Sequence, residues 1–150
     1  MSSEHRIDLE WARSGGPFER GNYSPQHLIR YAGGETLRGS PSTEFGGDGA
    51  HADPEQLLLS ALSACHMLTF LAVAANRSYV VDDYHDSAVA ILDKNADGKM
   101  AVVKAILAPR VTFSGDKRPT AEEYAKLHER AHAACFIANS VKTVVEVKPV

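Results

Sequence analysis

Nineteen consecutive residues, Leu57–Ala75, contain no Asp, Glu, Lys or Arg. A stretch this apolar must be hidden from water, either in a bilayer or in a protein core. Ser60, Ser63, His66 and Thr69 recur every three residues along it and form a polar stripe. That stripe argues for a fully buried core helix and against a membrane span. The rest of the chain is of soluble character, with 44% hydrophobic and 23% charged residues and a formal net charge of −3. Its 150 residues are enough for one domain, 1–150, with a normal core. No basic block and no aromatic–basic interleaving points to nucleic acid. The start, M-S-S-E-H-R-I-D-L-E-W, lacks an apolar signal core, so the expected location is the cytoplasm.

Local signals set the ends of the apolar helix. Asp53 is a good N-cap, Pro54 suits the first helical position, and Gln56 completes a D-x-x-Q variant of the capping box. The helix is predicted to run to about Asn76, roughly 23 residues or ~35 Å. Upstream, Ile7, Leu9 and Trp11 alternate with acids and predict a strand over Arg6–Ala12. Gln26–Ala32 and Glu35–Gly39 flank Gly33-Gly34 as a hairpin, and Ser40–Asp53 is a long glycine-bearing loop. Downstream, Tyr79–Asp93 and Lys99–Phe113 read as two long strands joined at N-A-D-G. Pro119-Thr120 with Glu122 and Glu123 opens a second helix ending near Ala133. Cys135–Val141 reads as a short third helix and Val141–Val147 as a last strand, giving an α+β order.

The chain has two cysteines, Cys65 inside the apolar run and Cys135 in A-H-A-A-C-F-I-A-N-S. In a reducing compartment such a pair is catalytic, metal-binding or inert, and a buried lone thiol often serves only as a small hydrophobe. His128, His132 and Cys135 spell H-x3-H-x2-C, which puts two imidazoles on one helical face as a possible metal chelate. Asp82-Asp83, His85 and Asp86 are too irregular for a calcium loop, and no G-K-[ST] follows the glycines at 46, 47 and 49.

The segment P-E-Q-L-L-L-S-A-L-S-A-C-H, with Glu55 ten residues before Cys65 and Cys135 seventy after it, resembles the signature of the OsmC/Ohr family. The resemblance implies antiparallel sheets around a long central helix and an intertwined homodimer with its active sites at the interface. It implies reduction of organic hydroperoxides or hydrogen peroxide, with neither cofactor nor metal. Cys65 would be the peroxidatic thiolate, Cys135 the resolving thiol, and Glu55 the carboxylate orienting an arginine beside the sulfur. An external dithiol, often lipoyl-type, would reset the pair. Thr43–Asp53, where that arginine is expected, holds no Arg or Lys. Arg38 in T-L-R-G-S is the nearest candidate, with Arg30 and Arg20 further away. Phe136 follows Cys135 where the family often has proline, and His66 beside Cys65 is a candidate for tuning the thiol.

Helix geometry adds a constraint. Ten helical residues span ~15 Å, so Glu55 and Cys65 of one straight helix cannot touch. If they share a site, the carboxylate comes from a partner chain, with two helices antiparallel and crossing near Ser60. A reading from a different class is a non-catalytic protein on the same scaffold that binds a small apolar ligand at the interface.

Overall fold

The computed structural model describes residues 1–150. The chain forms two compact units, Met1–Leu57 and Leu58–Val150. The first contains an antiparallel meander of β1 (Ile7–Glu10), β2 (His27–Tyr31) and β3 (Thr36–Gly39). Ile7 faces Tyr31 across the first pair, and His27 faces Gly39 across the second. The β2–β3 turn closes at Gly33-Gly34, where Gly34 has φ +93° and its N–H bonds the Tyr31 carbonyl at 2.9 Å. The long loop that follows is ordered around Ser40, which is fully buried and whose hydroxyl accepts the Asp48 N–H at 2.8 Å. Gly47 lies so close to the Pro41 carbonyl that no side chain fits there.

Helix α1 (Pro54–Asn76) starts in the first unit and continues through the second. Its start is a reciprocal cap: the Gln56 N–H bonds the Asp53 carboxylate at 2.7 Å, and the Asp53 N–H bonds the Gln56 side chain at 3.1 Å. Its end is a Schellman turn, with the Tyr79 N–H reaching the Ala74 carbonyl and the Ser78 N–H reaching that of Ala75. Ser78 takes the left-handed position at φ +61°.

The two long strands expected after α1 are each broken. They form β4 (Val80–Asp86), β5 (Val89–Lys94), β6 (Met100–Leu107) and β7 (Pro109–Ser114). β4 pairs with β7 and β5 with β6, in separate sheets. The breaks have a local cause. Pro109 has no N–H for the ladder, and the Ala108 N–H bonds the Asp86 carboxylate at 2.7 Å. Both strands therefore leave one sheet for the other at the same level. Helix α2 (Ala121–Ala134) opens on a capping box between Thr120 and Glu123. The expected third helix is only a 3-10 turn over Ala138–Ser140. The last strand, β8 (Val144–Val147), pairs parallel with β6, so the sheets are otherwise antiparallel.

The core of the second unit joins α1 to α2 through Phe70, Ala74, Tyr79, Leu127 and Ala131. Val81, Tyr84, Val111, Phe113 and Tyr124 pack around them from β4, β7 and α2. Only Leu62, His66, Phe70 and Ala74 of α1 are buried, one residue per turn on a single face. The sequence predicts burial on every side, whereas one chain covers one face. Ser60, Ala64, Leu68 and Ala72 remain exposed, Leu68 by 62%.

Candidate active site

Cys65 is half-buried on α1, next to the core-facing His66. Cys135 is buried at the C-terminal cap of α2, 1% exposed. Seventy residues apart in sequence, the two thiols lie close enough for each to shift the other's protonation. The chain after Cys135 turns tightly: the Asn139 N–H bonds the Cys135 carbonyl at 3.0 Å, and the Ala138 N–H approaches the Cys135 sulfur at 3.5 Å. This turn brings the backbone N–H groups of Ile137 and Phe136 near enough to the Cys65 sulfur to favour its thiolate. The Thr69 hydroxyl, one helical turn beyond Cys65, bonds the Cys65 carbonyl at 2.8 Å and also lies within reach of its sulfur.

These donors divide the pair electrostatically. Burial pushes the Cys65 thiol up, but the Ile137 N–H, the Cys135 thiol, the Phe136 N–H and the Thr69 hydroxyl together bring it below the ordinary thiol range. Cys135 moves the opposite way: burial and its hydrogen bond to Cys65 raise it, against weaker help from the Ala138 N–H. The thiolate therefore settles on Cys65 and the proton on Cys135. Every donor to the Cys65 sulfur is electrically neutral.

Two other residues singled out in the sequence, Arg38 and Glu55, belong to the first unit. Arg38 is on β3 in the first unit, lining a cleft of ≈ 610 Å³ with Glu10, Trp11 and His27. Glu55 is in the first turn of α1, in that same unit. The H-x3-H-x2-C chelate does not form, because no three His, Cys, Asp or Glu side chains converge. Cys135 faces Cys65, and His128 bonds His66, Nδ1 to Nε2, at 3.0 Å. Sequence reasoning missed the backbone donors at 136 and 137, the His66–His128 bond and Thr69. Of these, only Thr69 carried a signal, at i+4 from Cys65.

The histidine pair is deeply buried. Burial, with the nearby His132 imidazole, lowers His66 to about 4 despite Asp86. Burial, with His66, lowers His128 to about 4. Both are neutral in the folded chain at pH 7, whereas an unfolded histidine titrates near ~6.5. As pH falls from about 6.5 towards about 4, the unfolded state takes up protons that the folded state refuses, so stability falls across that window. The expected loss is at most about 3 kcal/mol for each histidine, and less for two that share a hydrogen bond. Urea midpoints at pH 7 and 4.5 should differ accordingly, and a His66→Gln/His128→Asn double variant should lose most of that dependence. An equal dependence in the double variant would assign the acid sensitivity to other groups.

A family model for OsmC-like protein matches residues 46–150. An OsmC-like protein of unknown function from Vibrio cholerae O1 biovar eltor is 41% identical, with 99% of this chain and 100% of that one covered, at a TM-score of 0.96. This chain belongs to the OsmC-like protein family. Two more distant structures share the OsmC-like fold. One is an organic hydroperoxide resistance protein from Elizabethkingia anophelis, at 20% identity and TM-score 0.70, covering 99% of this chain and 96% of that one. The other is the organic hydroperoxide resistance protein OhrB of Bacillus subtilis, at 19% identity and TM-score 0.66, covering 98% and 96%. No curated protein sequence matches the chain. OsmC-like proteins are soluble. The apolar α1 therefore belongs to a soluble fold, although its length and composition alone would suit a membrane span.

Proposed function

We propose that this OsmC-like protein is a cytoplasmic thiol peroxidase that reduces organic hydroperoxides or hydrogen peroxide in defence against oxidative stress. The observation that carries the reading is that Cys65 and Cys135, seventy residues apart in sequence, lie close enough to bias Cys65 towards thiolate and Cys135 towards its protonated form. In the first step the Cys65 thiolate attacks the O–O bond of ROOH. One oxygen is transferred to sulfur, and ROH leaves once the departing alkoxide takes a proton. The Cys65 sulfenic acid then condenses with the Cys135 thiol, forming the S–S bond and releasing water. An external dithiol, of lipoyl type, returns the pair to two thiols and becomes a disulfide itself. Such a cycle needs a reducing compartment. The apolar neighbours of Cys65 on α1 favour greasy peroxides over hydrogen peroxide.

The working form is a homodimer, with residues 1–150 of each chain acting as one domain. The exposed stripe of Ser60, Ala64, Leu68 and Ala72 supports this, because small residues let two helices approach closely and leave little reason for apolar exposure in a lone chain. In an antiparallel crossing near Ser60, the partner's Glu55 comes beside Cys65 and orients an arginine, for which Arg38 is the candidate. Leu68→Glu leaves the buried face of α1 untouched and should convert the dimer to monomer in sedimentation velocity. A variant that stays dimeric would remove this stripe from the interface.

The direct test is peroxide consumption by the purified protein with dihydrolipoamide as reductant. Turnover supports the enzyme. No turnover with cumene hydroperoxide, tert-butyl hydroperoxide or hydrogen peroxide would overturn it in favour of a non-catalytic protein binding an apolar ligand at the interface.

A further inference from the structure

The peroxide cycle leaves one buried polar feature unused. His66 and His128 are 1% and 3% exposed. Their rings are parallel within 3°, and their bonded nitrogens are 3.0 Å apart. Phe70 stacks on the His128 ring at 4.3 Å, and Tyr124 meets it edge-on at 4.7 Å. Nothing bonds His66 Nδ1 or His128 Nε2. Whichever imidazole donates, one N–H and one lone pair stay buried without a partner. Two leucines would fill this space without that penalty. What the imidazoles add is direction, which the neighbouring Phe, Leu and Ala contacts lack.

The placement of the bond matters. His66 adjoins Cys65 on α1, so fixing the rotation of His66 about the helix axis fixes that of Cys65. His128 precedes Cys135 by seven residues on α2, about 20° short of two full turns, so the two share a face of that helix. The bond therefore ties together the two cysteine-bearing helices beside the thiols.

We propose that the His66–His128 hydrogen bond is a positioning strut that locks the rotation of α1 against α2 and so sets the redox equilibrium of the Cys65–Cys135 pair. The proposal rests on these two thiols forming a disulfide, but not on peroxide being the oxidant. Oxidation by glutathione disulfide is balanced: the protein dithiol gives up two electrons and two protons, forming one S–S bond, and two glutathione thiols are released. A strut that holds the sulfurs together raises the effective concentration of one thiol at the other and favours the disulfide.

The test is the dithiol–disulfide ratio of the full chain in glutathione redox buffers, read by alkylation and intact mass. His66→Leu and His128→Leu should each lower the equilibrium constant for the disulfide at least ten-fold, about 30 mV. His66→Gln places an amide near Nε2 and His128→Asn places one near Nδ1, so both should stay within about three-fold of wild type. Urea midpoints on the same samples separate this role from simple packing. Leucine variants with a shifted midpoint and an unchanged equilibrium constant would overturn the strut. So would amide variants as defective as the leucine ones, or a wild-type pair that glutathione disulfide cannot oxidise. A normal glutathione equilibrium without peroxide turnover would sink the peroxidase reading and leave the strut standing.

Discussion

Cys65→Ser is expected to end peroxide turnover, a loss on the order of 10³-fold or more, because a serine hydroxyl cannot replace a thiolate as nucleophile at neutral pH. Cys135→Ser should behave differently. It keeps the sulfur that attacks the peroxide and removes only the thiol that condenses with the sulfenic acid. One equivalent of peroxide should still be reduced in a burst, after which Cys65 accumulates as sulfenic acid open to further oxidation. Stopped-flow peroxide consumption and mass spectrometry of the products separate the two variants. If Cys135→Ser lost the burst while Cys65→Ser kept it, the attacking and resolving roles would be exchanged. The electrostatics favour the stated order: the Ile137 and Phe136 N–H groups help lower the Cys65 thiol, whereas burial and the neighbouring Cys65 raise that of Cys135.

Phe70→Ala is expected to lower the unfolding free energy by about 3–5 kcal/mol, the range for deleting a fully buried aromatic ring. Phe70 is 0% exposed. It meets Tyr84 at 5.7 Å, Tyr124 at 6.2 Å and the His128 ring at 4.3 Å, so it joins α1 to both β4 and α2. Its loss opens a cavity at the junction that carries the dithiol, and oxidation to the disulfide should slow in the same variant. Urea unfolding provides the measure. A loss below about 1 kcal/mol, the level of an ordinary substitution, would mean that the two helices are held together elsewhere.

Legibility in the sequence followed the range of the interactions. Helix α1 was readable to the residue, because Asp53, Pro54 and Gln56 act within one turn and the apolar run continues to its end. The Thr120–Glu123 cap of α2 is equally local. The broken strands were not read, because the Asp86 bond to the Ala108 N–H spans 22 residues. Pro109 was the only local sign of that break. Residues within the candidate site divide in the same way. The resemblance implies that Cys65 and Cys135 work together, and in the structure each shifts the other's protonation. No sequence pattern marks the N–H groups of Phe136 and Ile137 as donors, since every residue but proline has one and only the turn after Cys135 aims them. Helical spacing pairs His128 with His132, but its hydrogen-bond partner is His66, 62 residues away. The groups that lower the Cys65 thiol within its own unit are all neutral. Arg38 and Glu55 belong to the first unit, and their part in the site rests on the proposed dimer.

The dithiol cycle is tested most directly by intact mass after one equivalent of cumene hydroperoxide, followed by non-reducing digestion. A working cycle gives a loss of two hydrogens and a single cross-linked peptide pair joining Cys65 to Cys135. Unmodified Cys65, or oxygen retained on Cys65 while Cys135 remains a free thiol, would contradict it.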